Sequence, residues 1–428
     1  MKDTFYTLKS PHLVIIGGGF AGLELVKQLK NKDIRVTLLD KNNYHTFQPL
    51  LYQVASGGLG PDGIAYPLRK IVSTCQNVIF RMAKVLEVQT TENIVKTSIG
   101  DISYDYLVIA TGSTTNFFGN EQLEKASMQL KTVPDALDLR SDILQEFEKA
   151  VHTLTTDEKK RILNFVVVGG GPTGVETAGA LAEMKKNVLP ADYKELDPEC
   201  MQVHLIESAP RVLATFSEQS SAKALKFLHE LGVKVQLNVQ VKNYDGHVVQ
   251  LSTGEELQTE TVVWSAGVKG ISIPGMDPAS LGRGNRYKVN ASNLVDGYTN
   301  IFAVGDVAAM TTDAKYPNGH PMVAPVGVQQ ARLFSKNIFR IIKGEKTEEF
   351  RYFDKGSMAT VGRHKAVLEA FGFRMQGYIA WLAWMLLHLM LLVGFRNRMV
   401  VFINWMWNYL SYQRAIRIIT RPFVRHEQ

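Results

Sequence analysis

The amino-acid sequence predicts an α/β protein with two similar strand–turn–helix units, followed by a C-terminal segment of two apolar helices. The two units are predicted by two apolar runs that each lead directly into a glycine-rich turn, at residues 12–22 and at residues 164–174. A third observation predicts the C-terminal helices, since residues 378–419 are rich in Trp, Leu, Met and Ile. A chain of 428 residues has room for two or three domains.

Each turn carries three glycines at the G-x-G-x-x-G spacing: Gly17, Gly19 and Gly22 in the first, and Gly169, Gly171 and Gly174 in the second. In such a turn the first glycine allows a tight bend, the second lets the backbone approach a pyrophosphate, and the third lets helix and strand pack closely. The phosphates then lie on the free N–H groups of the helix N-terminus. One such turn is weak evidence, because glycine-rich turns also connect strands to helices without a ligand. Two in full context predict two Rossmann-like domains that bind two dinucleotides.

The first unit has an acidic residue where a dinucleotide-binding fold needs one. The predicted helix 21–31 leads to a strand, residues 34–40, which ends at Asp40, eighteen residues after Gly22. An acid at this place binds the ribose hydroxyls of the nucleotide. The alternative is that Asp40 only ends the strand.

The corresponding acid of the second unit is Glu207, at the end of the predicted strand 202–207. It follows Gly174 by thirty-three residues, and the excess, residues 185–200, is predicted to be an inserted helix and loop. A carboxylate here favours NADH because it would repel a 2′-phosphate. The nearby Arg211 leaves NADPH open.

Three further apolar strands are predicted, two of which end in turns of small residues and one in an acid. Residues 104–112 end at Thr111 and Gly112, and residues 262–267 end at Gly267. Residues 300–306 form a short buried strand that ends at Asp306, where the chain returns to the first domain. Asp306 is predicted to contact the cofactor, and the alternative is an N-cap for the helix that follows.

The formal net charge of +7 is concentrated at the C-terminus, where residues 374–428 hold seven arginines, no lysine and one acid. The apolar residues around these arginines favour a membrane surface with anionic lipids, and no nucleic-acid-binding motif accompanies them. Two cysteines, Cys75 and Cys200, are too far apart in sequence for a C-x-x-C pair, which indicates a reducing cytoplasm. Residues 1–10 contain no apolar signal core, so export is not expected.

The first C-terminal helix is predicted over residues 378–395, eighteen residues without a formal charge, in which His388 is the one readily ionisable group near neutrality. Its length of roughly 27 Å is borderline for crossing a bilayer. A second helix is predicted over residues 399–419, with one polar face formed by Asn404, Asn408, Ser411, Arg414 and Arg417. A transmembrane arrangement would carry Arg396 and Arg398 across, against the positive-inside rule. Two helices lying in the membrane surface are therefore predicted, with a transmembrane hairpin and a soluble dimer interface as alternatives.

Two further blocks carry a family resemblance: residues 43–55, NYHTFQPLLYQVA, and residues 355–363, KGSMATVGR. Together with the two glycine turns, they resemble the flavoproteins with two dinucleotide-binding domains, and over essentially the full length the chain resembles the type II NADH dehydrogenases. Related disulfide reductases carry a redox cysteine pair near the first block. Here that pair is missing, so electrons cannot leave a flavin through a dithiol.

The resemblance implies roles for particular residues. It implies that non-covalent FAD is held by Gly17, Gly19, Gly22, Asp40, Lys41, Thr111, Gly112 and Asp306. It implies that NADH is held by Gly169, Gly171, Gly174, Glu207 and Gly267. Glu176, two residues after the second turn, matches the family's acid near the nicotinamide and the flavin and is expected to be catalytic; the alternative is an acid favoured by the helix dipole.

One departure from the family concerns the quinone. The family motif A-Q-x-A-x-Q corresponds to residues 324–329, where Pro325 replaces the first glutamine, Gly327 replaces the inner alanine, and Gln329 is kept. The resemblance implies a quinone site at Gln48, Pro325, Gln329 and Gln330, with Gln329 also catalytic. Either of the last two could instead be an ordinary glutamine on a helix surface.

The implied activity is a non-proton-pumping NADH:quinone oxidoreductase of respiratory electron transport, in which hydride passes from NADH to FAD and two electrons pass to a membrane quinone. It would lie on the cytoplasmic face of the inner membrane as a monotopic protein, with a homodimer open. The alternatives are a sulfide:quinone oxidoreductase and a nucleotide-sensing protein with a structural flavin, and no metal is expected. The predicted domains are the FAD domain (residues 1–155 and 273–345), the NADH domain (156–272) and the membrane-association domain (346–428).

Overall fold

The computed structural model describes residues 10–411, 416–419 and 421–424. Arg414, Arg425 and residues 1–9, on which parts of the sequence predictions rest, lie outside these ranges. The chain forms two compact units. The first unit contains the chain up to His45, Tyr66–Thr114 and Val268–Asp354, and the second contains Thr46–Ala65, Thr115–Gly267 and the chain from Lys355 onward. Residues 46–65 and 115–155, which the sequence assigned to the FAD domain, thus pack in the second unit; the nucleotide that each unit binds stays a prediction.

A five-stranded parallel sheet forms the centre of the first unit. Its strands are, in spatial order, Ile301–Ala303, Tyr106–Ile109, His12–Ile16, Arg35–Asp40 and Val78–Met82. The central strand is apolar on both faces because both are covered. Leu13 and Ile15 pack with Phe334 of the helix Ala324–Ile342, whereas Val14 and Ile16 pack with Tyr287 on the opposite face.

Helices and smaller sheets complete the first unit. The helix Phe20–Leu29 follows the first glycine turn, and the helix Leu68–Val72 precedes the edge strand of the sheet. Two three-stranded sheets consist of Val85–Gln89, Ile94–Thr97 and Gly100–Ser103, and of Leu281–Gly282, Arg286–Val289 and Ala308–Met310. The first unit also has two 3₁₀ turns, Pro278–Ser280 and Gly305–Val307. Four short strands lie where the chain passes from one unit to the other: Tyr44–Thr46, Ala65–Pro67, Ser113–Thr115 and Val268–Gly270.

The second unit has a parallel sheet in which four strands repeat the order of the first sheet, whereas the fifth, an edge strand, comes before the central strand in sequence instead of last. Its strands are Met128–Gln129, Thr261–Trp264, Asn164–Val168, Gln202–Glu207 and Lys234–Leu237. The helix Val133–His152 begins with a capping box between Thr132 and Asp135, and its Phe147 packs edge-to-face on Phe165 of the central strand. The four strands that share an order include the strand before each glycine turn and the strand that ends at its acid, as the two turns predict.

The remaining elements of the second unit surround this sheet. An antiparallel sheet consists of Val241–Tyr244, Val248–Leu251 and Glu256–Gln258. The helices are Leu51–Ala55, Pro61–Ile64, Glu121–Ala126, Thr156–Ile162, Pro172–Asn187, Leu189–Asp192 and Glu218–Glu230, with 3₁₀ turns at Gln48–Leu50 and Pro198–Cys200.

The C-terminal part of the second unit begins with an antiparallel sheet and ends with two helices. The sheet consists of Ser357–Thr360, Ala366–Ala370 and Phe373–Gln376, and the helices are Tyr378–Leu391 and Phe395–Ser411. The predicted helix bounds were wrong here, because residues 396–398 form the first turn of the second helix rather than a break. Asn397 is buried in this turn and is not part of an exposed break, since its side-chain amide donates to the carbonyl oxygens of Asp62 and Ala65 at 3.1 and 2.9 Å. None of the helices in the described ranges has the length and apolarity needed to cross a bilayer.

Two arginines that follow the second helix in the described ranges are paired with acids. Arg417 lies beyond the helix, so it does not continue the predicted polar face; it contacts Asp192 at 2.7 Å, and Arg421 contacts Asp138 at 2.5 Å. The backbone of Phe423 exchanges two hydrogen bonds with the Gln145 side chain. The protein itself therefore compensates the charge of two arginines that the sequence analysis placed at a membrane surface.

Candidate functional site

The first glycine turn is closed on one side and open on the other. A Cβ atom at Gly17, whose φ is +108°, would lie 2.3 Å from the Ala110 carbonyl oxygen, and one at Gly22 would lie 1.8 Å from the Gly17 carbonyl oxygen. A Cβ atom at Gly19 would meet no heavy atom within 4 Å. The helix Phe20–Leu29 begins there without a side-chain cap. An uncapped helix N-terminus beside open backbone is the arrangement that binds a phosphate group.

The second glycine turn repeats this geometry. Gly169 also has a φ of +108°, and a Cβ atom at Gly174 would lie 1.8 Å from the Gly169 carbonyl oxygen. A Cβ atom at Gly171 would meet no heavy atom within 4 Å, and no side chain caps the helix Pro172–Asn187. The chain thus contains two open glycine turns of the same construction.

Each turn is tied to the acid that the sequence assigned to it. The Asp40 carboxylate accepts hydrogen bonds from the backbone N–H groups of Gly18 and Asn42, at 2.6 and 2.7 Å. The Glu207 carboxylate accepts from the backbone N–H groups of Gly170 and Ala209. Burial raises the pKa of the Asp40 carboxyl. A carboxylate oxygen can accept more than one hydrogen bond, so both acids fix their turn and can still receive a ribose hydroxyl.

The other residues assigned to FAD lie in the first unit. Lys41 is exposed directly after Asp40. The Thr111 hydroxyl donates to the Ile271 carbonyl at 2.6 Å, and the next residue, Gly112, has a φ of +73°. Asp306 lies in the 3₁₀ turn after its strand and accepts a hydrogen bond from the Ser113 hydroxyl at 2.6 Å.

Gly267, assigned to NADH, lies in the second unit. A Cβ atom at Gly267 would lie 2.7 Å from the Phe118 ring, so packing against Phe118 already accounts for this glycine.

The helix Ala324–Ile342 explains the departure from the family motif. Pro325 occupies the first turn of the helix, where a missing N–H costs nothing. A Cβ atom at Gly327 would lie 3.1 Å from the Gly305 Cα, so the glycine permits a close contact between the helix and the turn of Asp306.

The two glutamines of this helix have different environments. The amide of Gln329 exchanges two hydrogen bonds with the backbone of Phe353, at 2.9 and 3.0 Å. Gln330 is fully buried, and its carbonyl oxygen accepts from the Gly305 N–H at 2.7 Å. The Gln330 amide nitrogen is buried without a partner among the described residues, so it can donate to a bound group. Gln48, the fourth residue assigned to the quinone, is exposed in the second unit.

His45 is a candidate cofactor contact that the sequence analysis did not single out. Its ring is buried against Phe20, and its Nδ1 donates to the Gly18 carbonyl at 3.0 Å. Burial lowers the pKa of His45 to about 4, and its Nε2 has no partner among the described residues. Two orphaned buried nitrogens and an open glycine turn make the first unit fit a bound dinucleotide. The only sequence signal for His45 was its place in the block 43–55.

Glu176 forms the centre of a buried polar cluster in the second unit. It lies on the helix Pro172–Asn187, is 7% exposed, and accepts hydrogen bonds from the N–H and the hydroxyl of Thr360 at 3.3 and 3.4 Å. The Tyr52 hydroxyl contacts the Thr360 hydroxyl at 3.0 Å and accepts from the Gln53 amide at 3.0 Å. Burial raises the pKa of Glu176 to about 8, against the smaller effect of its hydrogen bonds with Thr360 and the Trp384 side chain. Glu176 is therefore mainly protonated at neutral pH. Tyr52 and Thr360 join the candidate site, and the only sequence signal for them was their place in the blocks 43–55 and 355–363.

Neither cysteine lies in a thiol pair. Cys75 packs at the edge of the apolar core of the first unit, and Cys200 is buried in the second; both are free thiols. Across the described ranges, no three His, Cys, Asp or Glu side chains are grouped so that they could hold a metal ion.

The comparisons with known proteins first define a class. Residues 11–331 match the family model of the pyridine nucleotide-disulphide oxidoreductases, and residues 355–412 match that of the NDH2 C-terminal domain. The structure of NDH2 from Plasmodium falciparum in complex with NADH superposes with a TM-score of 0.88, covering 96% of this chain and 100% of that one at 21% identity. The sulfide:quinone oxidoreductase of Aquifex aeolicus gives a TM-score of 0.71 at 22% identity, covering 94% and 96%. At these identities the two structures establish the fold.

The curated relatives define the family. The type II NADH:quinone oxidoreductase NdhA of Mycobacterium tuberculosis is 36% identical over 96% of this chain and 90% of its own length. The enzyme of the same name from Staphylococcus aureus is 30% identical over 84% and 90%. The chain belongs to the type II NADH:quinone oxidoreductase family.

Proposed function

We propose that this protein transfers two electrons from NADH to a membrane quinone without pumping protons, with non-covalent FAD as its cofactor. The proposal rests on the pair of open glycine turns, each hydrogen-bonded to an acid, in a chain that also has the buried, protonated carboxyl of Glu176. FAD, when bound, supplies the two-electron redox chemistry that protein side chains lack. The overall reaction is NADH + H⁺ + quinone → NAD⁺ + quinol.

Each of the two units binds one dinucleotide. In the first unit, the N–H groups behind Gly19 receive the FAD pyrophosphate and Asp40 receives a ribose hydroxyl. In the second unit, Gly171 and Glu207 do the same for NADH. Two buried nitrogens without a partner among the described residues, the His45 ring nitrogen Nε2 and the Gln330 amide nitrogen, can form hydrogen bonds with the first nucleotide. Both dinucleotides are thus held by backbone N–H groups and one carboxylate each.

Glu176 supplies the proton chemistry. Quinone reduction places negative charge on the quinone oxygens, which must each gain a proton. A carboxyl with a pKa of about 8 holds a proton at neutral pH and can release it to a stronger base. Thr360 and Tyr52 continue the hydrogen-bonded chain away from Glu176, so a replacement proton has a route along hydroxyl groups.

Steady-state assays with three donors test this function. Purified protein is given NADH, NADPH or sulfide in parallel, with menadione as acceptor, and the flavin is released by denaturation and identified. We expect menadione reduction with NADH, and a flavin that yields FMN only after phosphodiesterase treatment. Turnover with sulfide alone would support the sulfide:quinone alternative, and a flavin-loaded protein with no turnover would support the sensing alternative.

The preference for NADH should depend on Glu207. The guanidinium group of Arg211 donates to the carbonyl oxygens of Phe216 and Ala214, both at 2.9 Å, so it is engaged with its own loop. Glu207→Gln removes the charge that opposes a 2′-phosphate and keeps the side-chain length. The ratio of kcat/KM for NADPH to that for NADH should rise about tenfold, as steady-state kinetics would measure. A wild type that uses both nucleotides equally would show that Glu207 does not set the preference.

The two C-terminal helices are proposed to attach the protein to the cytoplasmic face of the inner membrane. Their outward side chains form an apolar surface, which includes Ile379, Leu382, Leu386, Met390, Leu391, Phe395, Phe402, Ile403, Met406, Trp407 and Leu410. Many large exposed apolar side chains on two neighbouring helices are typical of an interaction site. Ion pairs hold two of the arginines, so apolar burial supplies most of the proposed attachment.

Charged substitutions on this surface test the attachment. Leu386 is 64% exposed and Leu410 is 73% exposed, so Leu386→Glu with Leu410→Glu should fold normally yet lower co-sedimentation with phospholipid vesicles by at least about tenfold. Leu154→Glu is the matched control, because Leu154 is 96% exposed in the same unit but outside the two helices. Equal sedimentation of all three proteins would contradict the proposed surface.

A further inference from the structure

His388 is the single histidine, acid or basic residue of the helix Tyr378–Leu391. It lies one helical turn after Trp384, and the imidazole stacks on the Trp384 indole, with ring centroids 4.0 Å apart and planes 22° apart. The Phe47 ring approaches the imidazole edge-to-face at 6.0 Å. His388 is therefore a half-buried polar group between two aromatic rings.

The backbone fixes the tautomer of His388. Its Nδ1 lies 2.8 Å from the Trp384 carbonyl oxygen, which can only accept, so Nδ1 carries the proton. Burial lowers the pKa of His388 to about 4, which keeps the ring neutral at pH 7. The Nε2 atom is then an acceptor alone, and no described residue donates a hydrogen bond to it.

The exposed side chains next to His388 on its helix are apolar. Leu387 is 43% exposed and Leu391 is 56% exposed, whereas the Trp384 and Phe47 rings are buried and hold the imidazole in place. An apolar quinone ring can approach such a surface, where His388 is the single histidine, acid or basic side chain of the helix that can meet its oxygens. The Trp384 side chain also donates a hydrogen bond to Glu176, so Trp384 connects His388 with the buried polar cluster.

We propose that His388 Nε2 accepts a hydrogen bond from a hydroxyl group of the quinol product. A quinone offers two carbonyl oxygens, which repel the lone pair of Nε2, whereas a quinol offers two O–H donors. An acceptor-only nitrogen therefore distinguishes the reduced ligand from the oxidised one, since a bound quinone would cover Nε2 without giving it a donor. The inference rests on the proposed function and adds a residue that recognises the product.

The test uses equilibrium binding of menadiol and menadione, which does not depend on turnover. Quenching of tryptophan fluorescence is measured without oxygen for wild type, His388→Phe and His388→Gln. Phe keeps the stacking on Trp384 but removes the acceptor, so menadiol should bind about threefold to tenfold more weakly while menadione binding changes less than about twofold. Product inhibition by menadiol should weaken by the same factor in steady-state assays.

His388→Gln makes the test independent of how well the Phe variant folds. The amide both accepts and donates, so menadiol binding should be retained and menadione should bind more tightly, which brings the two affinities closer together. His229→Phe, at an exposed histidine of the same unit, is the matched control and should bind like wild type. Unchanged menadiol-to-menadione selectivity in both His388 variants would overturn the inference. Selective binding by wild type without NADH-driven reduction of menadione would instead contradict the proposed function.

Discussion

Compared with the wild type, Glu176→Gln should become progressively more stable as the pH rises from about 4.5 to 8. The folded state holds the Glu176 proton up to about pH 8, whereas the unfolded chain releases it near pH 4.5. Stability from this group is therefore fully present below pH 4.5 and is lost as the pH rises toward 8. Since one pKa unit corresponds to about 1.4 kcal/mol, the loss has an upper bound of roughly 5 kcal/mol.

Thermal unfolding at a series of pH values measures this effect. The two proteins should unfold at similar temperatures at pH 4, and Glu176→Gln at a clearly higher temperature at pH 9. Glu195→Gln is the control, because Glu195 is exposed in the same unit and should leave the wild-type pH dependence unchanged. Parallel curves for wild type and Glu176→Gln would mean that Glu176 is ionised in the folded protein. The quinone activity of Glu176→Gln should also fall, since an amide cannot deliver a proton.

Gly19→Ala and Gly171→Ala should each abolish the binding of one nucleotide and spare the other. Both glycines have φ near −70° and open space where the methyl group would lie, so alanine fits the unliganded fold. The methyl group would instead occupy the approach of the pyrophosphate. Gly19→Ala should lose at least about tenfold in flavin content, and Gly171→Ala should keep its flavin while KM for NADH rises at least about tenfold.

The two variants serve as controls for each other. Flavin content is read from the visible spectrum and NADH affinity from steady-state kinetics, with thermal unfolding to confirm the fold. Gly22→Ala and Gly174→Ala would not give this separation, because each added Cβ would lie 1.8 Å from a carbonyl oxygen. Retention of both nucleotides by both alanine variants would contradict the assignment of the turns.

The sequence predicted the parts of the site that depend on local spacing. A strand, a glycine turn and an acid at the end of the next strand lie within about forty residues, and the structure has both turns and both strand-end acids. The hydrogen bonds from the N–H groups of Gly18 and Gly170 to the two acids follow from this spacing. Which nucleotide each turn binds stays a prediction.

Contacts between distant parts of the chain could not be predicted in the same way. Glu176 and Thr360 are 184 residues apart, and Tyr52 and Thr360 are 308 apart, so no periodicity in one segment reveals the cluster. The difference between Gln329 and Gln330 depends on which face of one helix meets Gly305, a matter of tertiary packing. The predicted ends of the C-terminal helices were wrong for a similar reason. In the sequence Asn397 looks like part of a polar break, and only the fold shows that its amide donates to the carbonyl oxygens of Asp62 and Ala65.

An anaerobic two-step titration tests the central claim most directly. The purified, flavin-loaded protein receives one equivalent of NADH and then one equivalent of menadione, while the visible absorbance, NAD⁺ and menadiol are measured. We predict that NADH bleaches the flavin absorbance with formation of one NAD⁺, and that menadione restores it with formation of one menadiol. A flavin that NADH does not bleach, or that stays bleached when menadione is added, would contradict the account.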